Sequence, residues 1–372
     1  MNHILLKFSQ FVRSTAIFIV MLIVVFVLFE GISSTILFVH DAFVFAEKPV
    51  AERLHAKHDP ELGWVNIPNI YLEDLYGPGL YFKTDSQSFR NNQDFGERVP
   101  KGKVRVICSG DSFTLGYGVD NDHTWCQMLS SLGKRIEAVN MGQGGYGIDQ
   151  SYLWYKRDGV KLDHQIHLFA FISDDFLRMH HKSFHGYAKP VLKVSDGTLV
   201  TENVPVPSRY FYVPWLTQNA KLLYKSRLFQ LISRAHLKLF PREESSDASK
   251  DAQSEEVAAK IFEHLREINK QKTSSLVLLY LPTRGEYKPG KLESWREFVH
   301  AAAASRNILL FDLINEFRKL PPEEIEKMFI PEGSMVYPSA ANHYTIRGNE
   351  FVASSVYAKL LSSGILRDKQ TP

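Results

Sequence analysis

Cysteine is scarce in this chain, with two in 372 residues. That is too few for a disulfide framework or a Cys-rich zinc site. An excess of charge of one sign is also lacking: 44 Lys+Arg stand against 41 Asp+Glu, a net charge of +3. So slight a balance gives no reason to expect nucleic acid as a partner. No internal repeat is found. A mean hydropathy of −0.18 excludes a polytopic membrane protein. The 44 % of hydrophobic and 23 % of charged residues exclude a chain disordered throughout.

An average can hide one apolar run, and here it does. Ser14–Phe29 reads STAIFIVMLIVVFVLF without a charge, and after Glu30-Gly31 the run ISSTILFV continues to Val39. Crossing the hydrocarbon core takes about 20 apolar residues, so residues 14–39 are expected to form a transmembrane anchor. Lys7 and Arg13 precede it, and Asp41 and Glu47 follow. The positive-inside rule then leaves 1–13 as a cytoplasmic tail and the body of the chain outside, on the periplasmic or extracellular side of the inner membrane. Val44-Phe45-Ala46 resembles a signal-peptide cleavage site, but the apolar stretch is longer than an ordinary h-region of about 7–15 residues. Both readings export the body.

Residues 40–100 are rich in turn formers and read as a membrane-proximal arm of short strands and loops. Beyond it, short apolar runs suggest five strands: Val104–Cys108, Ile136–Asn140, Ile166–Ile172, Leu276–Leu281 and Ile308–Phe311. Ile166–Ile172 (IHLFAFI) is nearly all apolar, as a strand buried on both faces should be. Helical patterns lie at Trp125–Leu132, Tyr152–Lys156, Ser254–Lys270, Leu292–Ser305 and Gly348–Leu361. Strands alternating with helices predict a parallel sheet covered on both faces. Asp196-Gly197 predicts a two-residue hairpin turn, and Arg242–Glu256, polar and low in complexity, reads as an exposed loop.

The segment that carries chemistry is Ser109-Gly110-Asp111-Ser112-Phe113-Thr114-Leu115-Gly116-Tyr117-Gly118-Val119. A hydrophobic strand runs directly into Gly-Asp-Ser and then toward a helix. This puts Ser112 at the C-terminal edge of the sheet, where open α/β folds place their sites. Backbone N–H groups at such a place can hold an oxyanion.

With these residues the chain resembles the SGNH (GDSL-type) hydrolase superfamily, especially its membrane-anchored bacterial members, over roughly residues 59–365. The resemblance also rests on Asn140-Met141-Gly142-Gln143-Gly144-Gly145-Tyr146-Gly147-Ile148-Asp149-Gln150, and on His343 in Asn342-His343-Tyr344-Thr345. It implies a three-layer α/β/α sandwich of flavodoxin-like type, occupying 101–365 with an insertion at 178–256. It also implies Ser112 as nucleophile, His343 as general base, and the Ser112 and Gly145 N–H groups as oxyanion donors. Serine is a poor nucleophile at neutral pH and needs such a base within reach. No cofactor and no metal are called for.

Two departures stand out. The family's third block usually reads Gly-x-Asn-Asp, its Asn being the third oxyanion donor. Here the Asn place falls on Asp174, which could donate only if protonated, or on Ser173 after a one-residue shift. The family also has Asp three residues before the catalytic His, where this chain has Ala340. Glu332 could fold back to orient His343, or a backbone carbonyl could do so.

His180, His181 and His185 read as a polar loop near the pocket mouth, since no partner ligands accompany them. Tyr210, Phe211, Tyr212 and Trp215 read as packing of the insertion. Cys108 and Cys126 read as a buried strand residue and a helix residue; export permits a disulfide, but nothing in the spacing requires one. The function expected is an extracytoplasmic serine esterase or O-acyltransferase acting on O-acetyl groups of a surface glycan, or on a small ester. The alternative is a catalytically weak scaffold that binds glycan or a membrane partner.

Overall fold

The computed structural model describes residues 2–45, 55–184, 187–206, 228, 231–232, 235, 247–287, 290 and 293–366. The chain divides into two compact units: 1–48 with 211–244, and 49–210 with 245–372.

In the first unit, helix α1 spans Asn2–Phe45. Its stretch Gln10–Leu37, 28 residues of mean hydropathy 2.8, is long and apolar enough to cross a membrane. Large apolar side chains along it face outward, among them Phe11, Phe18, Ile23 and Val27. The Glu30 carboxylate accepts a hydrogen bond from the Leu228 N–H at 2.8 Å.

The second unit opens with two short antiparallel pairs, β1 (Ala56–Asp59) with β2 (Gly63–Asn66), and β3 (Tyr71–Leu72) with β4 (Phe82–Lys83). The central sheet follows. Its strands are β5 (Val104–Gly110), β6 (Ile136–Gly142), β7 (Ile166–Phe171), β12 (Ser275–Tyr280) and β13 (Leu309–Asp312). Between β7 and β12 lie two hairpins, β8 (Ser183–Phe184) with β9 (Tyr187–Ala188), and β10 (Val191–Ser195) with β11 (Thr198–Glu202). The second hairpin turns at Asp196-Gly197, both at positive φ, as its sequence predicts.

The sheet order is β13-β12-β7-β5-β6, and every neighbouring pair is parallel. Counted along the chain this is the flavodoxin-like order 2-1-3-4-5, whose direction reverses between β5 and β7. Alternate side chains enter two cores. Ile107, Phe169, Phe171, Leu278 and Tyr280 face one side. Val106, Cys108, Leu168, Ala170, Val277 and Leu279 face the other. The first face is covered by the helices Ile148–Arg157, Asp247–Gln271 and Glu293–Ser305, the second by Trp125–Leu132 and Ile346–Ser362. The fold is therefore a three-layer α/β/α sandwich. Side-chain caps fix two helix starts: the Thr124 hydroxyl accepts from the Gln127 N–H, and that of Thr345 from the Gly348 N–H.

Two expectations need correction. Cys108 and Cys126 form a disulfide, with Cα atoms 6.2 Å apart. Cys108 points off β5 into the same core that receives the first turn of helix Trp125–Leu132, a juxtaposition that a spacing of 18 does not reveal. The polar run 242–256 is not a loop from Asp247 on, because Asp247–Gln271 is one helix. Its Ala, Lys, Glu and Gln residues are strong helix formers, and the apolar positions from Val257 onward give the helix a face to bury. Tyr210, Phe211, Tyr212, Trp215 and His185 lie outside the described residues.

Candidate active site

Strand β5 delivers its chain at the point where the strand order reverses. Asp111 follows in an extended conformation, and its Oδ1 accepts the Phe113 N–H at 2.9 Å, capping the single turn Ser112–Leu115. Ser112 is thereby held at a helix start, 4 % exposed. Among the described residues neither its N–H nor that of Gly145 enters a backbone hydrogen bond, so both are open to an acceptor.

Gly145 lies in the turn after β6 at φ +76, a conformation that glycine adopts without strain. A Cβ there would meet the Phe184 ring at 2.5 Å. The carbonyl of the preceding Gly144 accepts the Trp64 indole N–H at 2.9 Å, which ties this turn to β2.

His343 arrives from the loop before the last helix. Its Nε2 lies 2.7 Å from Ser112 Oγ, and its Nδ1 lies 3.3 Å from the Ala341 carbonyl. The tautomer this favours carries its proton on Nδ1 and presents a bare Nε2 to the serine hydroxyl. The ring is held between Phe113 and Tyr117, at centroid distances of 4.6 and 5.0 Å. Burial brings its pKa down to about 4, against the opposing pull of the Asp111 carboxylate. At neutral pH the imidazole is therefore the free base.

Among the described residues no carboxylate bonds His343. Glu332 is exposed, within a turn closed by the Ser334 N–H on the Pro331 carbonyl. Ala340 is fully buried, and the space a Cβ on Gly118 would take lies 3.2 Å from its methyl. Among the described residues, the hydrogen-bond partner of Nδ1 is the Ala341 carbonyl.

Ser112, Gly145 and His343 share a cavity of about 370 Å³. Trp64, Tyr117, Phe184 and Tyr187 give it aromatic walls, and His55 and Lys57 extend it along β1. Asp174 is not among its lining residues. It is exposed and lines an adjoining depression with Phe113, Thr283 and Asn342. Arg178 and His343 line both and so form the partition between them. Ser173 is buried with its hydroxyl near Tyr280 and Glu286. His180 pairs with Asp251 at 3.3 Å.

Several site residues were not anticipated from sequence. Trp64 and His55 belong to the arm, and Phe184 and Tyr187 to a hairpin of the insertion. Arg178 is the most buried charge in the cavity wall. Its Nη1 donates to Asp111 Oδ2 at 3.0 Å, to the Tyr146 carbonyl at 2.8 Å, and to Asp175 Oδ1. The one signal available was its place four residues after Asp174, which on a helix puts both on one face.

A serine hydroxyl on an imidazole, two open N–H groups at the C-terminal edge of a doubly wound sheet, and an aromatic cavity around them constitute the equipment of a serine-dependent acyl-transfer enzyme. No family model and no curated protein matches the chain. Among solved structures it is similar to a lipolytic protein of the G-D-S-L family from Desulfitobacterium hafniense DCB-2, with a TM-score of 0.37 and 15 % identity, covering 69 % of this chain and 99 % of that one. It is similar also to a lipase/acylhydrolase from Enterococcus faecalis (TM-score 0.40, 12 % identity, 72 % and 100 % covered). A third is the acetyl xylan esterase AlAXEase (TM-score 0.38, 14 % identity, 69 % and 100 % covered). At these values the likeness carries no activity or substrate over to this chain.

Proposed function

We propose that the protein is a membrane-anchored, extracytoplasmic serine esterase or O-acyltransferase working through Ser112 and His343. The observation that carries this is the 2.7 Å contact of His343 Nε2 with Ser112 Oγ beside two unengaged N–H groups. His343 takes the serine proton as Oγ attacks the ester carbonyl. The Ser112 and Gly145 N–H groups hold the oxyanion. Collapse expels the alcohol, which leaves with the proton from His343, and an acyl group remains on Ser112. Water or a sugar hydroxyl then removes the acyl group through the same base. His343 works as the partner of a dyad, oriented by the Ala341 carbonyl and by its two aromatic neighbours in place of a carboxylate.

Support for export comes from the apolar stretch Gln10–Leu37 and from the Cys108–Cys126 disulfide, which oxidising compartments preserve. Support for a glycan O-acetyl substrate comes from Trp64, Tyr117, Phe184 and Tyr187, flat apolar faces suited to the C–H face of a sugar ring.

The decisive experiment is labelling of the whole protein with a fluorophosphonate. Wild type is expected to label and Ser112→Ala is not. Absence of labelling in a folded wild type would sink the enzyme reading in favour of a binding scaffold. Acetate released from O-acetylated polysaccharide tests the substrate class, and a C-terminal phosphatase fusion, active only outside the cytoplasm, tests the orientation.

A further inference from the structure

The oxyanion arrangement has a gap. Its two backbone donors are in place, but the Asn expected in the third block is replaced by Asp174, which lies beyond the partition formed by Arg178 and His343. A negative group also stands close to where the oxyanion develops: Asp111 is fully buried, and its Oδ2 lies 3.4 Å from Ser112 Oγ. Left alone, that carboxylate would oppose the negative charge of the tetrahedral intermediate.

Arg178 answers both problems. The same Asp111 Oδ2 accepts from Arg178 Nη1 at 3.0 Å, so guanidinium and nucleophile meet at one oxygen atom. The guanidinium is clamped, with Nη1 also on the Tyr146 carbonyl and Asp175, and with the Phe184 ring over its face at 5.3 Å. Among the described residues, none of its hydrogen bonds uses Nη2 or Nε. With three acceptors on one nitrogen, donors remain unused on a residue that lines the same cavity as Ser112 and Gly145.

Resting on the serine-esterase reading above, we infer that Arg178 is the third oxyanion contact, a charged donor in the place of the missing amide. When Oγ bonds to the carbonyl carbon, the C=O π pair moves to oxygen and the serine proton moves to His343 Nε2. The guanidinium receives the resulting anion without reorganising, because its pairs with Asp111 and Asp175 already fix it. Its proton count does not change. On collapse the pair returns from oxygen to carbon, the alkoxide leaves, and His343 protonates it. An immobile charge aimed at the oxyanion stabilises the transition state more than the ground state, so its loss lowers kcat.

The test compares 4-nitrophenyl acetate hydrolysis by wild type, Arg178→Lys, Arg178→Ala, and the double variant Arg178→Gln with Asp175→Asn. The double variant removes one buried charge of each sign, so it keeps the cluster balanced if the single variants fail to fold. Folded variants are expected to lose about 10²–10³-fold in kcat with KM changed less than about threefold. Lysine should recover only part of the rate, and added methylguanidinium should restore part of the Arg178→Ala rate. A folded variant with kcat within threefold of wild type would overturn the inference, as would a rise in KM at constant kcat. Those outcomes leave fluorophosphonate labelling of wild type intact, whereas failure of the esterase reading abolishes it.

Discussion

At the scale of single residues, the site is governed by what surrounds His343. Burial disfavours the imidazolium, so the folded pKa of about 4 lies below the ordinary value for histidine. In the proposed mechanism the base form is the active one. Activity is therefore expected to persist from neutral pH down to about pH 4–5 and to fall only below that. A kcat/KM profile on 4-nitrophenyl acetate checks this, and an acid limb near 6.5 would contradict it. Removal of the imidazole in His343→Ala should lower kcat by several orders of magnitude, up to about 10⁶-fold, as when the base of a catalytic serine–base pair is lost. Ser112 and His343 were legible in the sequence because each stands in a run whose local geometry is self-sufficient: a strand ending in Gly-Asp-Ser, and a loop entering a capped helix. Arg178 was not, because its role depends on Asp111, 67 positions away in the chain. That a backbone carbonyl could orient His343 was foreseen as one alternative, but which carbonyl was hidden, since any residue can offer one.

At the scale of elements, the short pairs outside the sheet build the cavity. The β1–β2 hairpin is fastened to the domain by Arg157 on both Asp59 oxygens at 2.8 Å, by Gln150 on the Leu62 carbonyl at 2.8 Å, and by the Tyr146 hydroxyl on the Trp64 carbonyl. Trp64→Ala removes a wall and frees the Gly144 carbonyl. Leaving that buried acceptor unpaired costs about 1–3 kcal/mol of stability, read in a urea melt, and kcat/KM should fall as the turn carrying Gly145 loosens. Gly145→Ala should be worse, combining positive φ with a clash against Phe184; pairing it with Phe184→Ala should recover part of the loss. Arg90 serves the loop after the nucleophile in a similar way. Fully buried, it donates to the carbonyls of Leu115, Gly116 and Val119 and to Asn121 Oδ1. Arg90→Leu strands these acceptors and is expected to cost at least about 3 kcal/mol in a urea melt. The five strands of the sheet were legible because apolar runs buried on both faces are conspicuous. The hairpin turning at Asp196-Gly197 was legible from that dipeptide, but the pairs β1–β2, β3–β4 and β8–β9 could not be located, since strands of two to four residues carry too little pattern to separate from turns.

At the scale of the whole molecule, the disulfide joins the strand that carries Ser112 to the helix covering its outer face. Closing a loop of this length stabilises a fold by about 3 kcal/mol. The Cys108→Ala, Cys126→Ala double variant should therefore melt measurably lower than the oxidised wild type, and reductant should lower the wild type alone. Equal melting temperatures would mean that the bond does not form in solution. The composition hinted at none of this, because two cysteines in a long chain are ambiguous until the fold sets them 6.2 Å apart.

The hairpin fastened at Asp59 has a consequence for how such a protein can diversify. The reacting groups sit in stretch 109–145, at Arg178 and at His343, whereas much of the cavity wall comes from residues 55–58, Trp64, Phe184 and Tyr187. Under the proposed function, the residues that would choose the substrate and those that would do the chemistry thus lie largely in separate passages of the chain. On the proposed mechanism the walls can therefore change while Ser112 and His343 stay in place, so that a few substitutions in short peripheral segments would alter which ester fits.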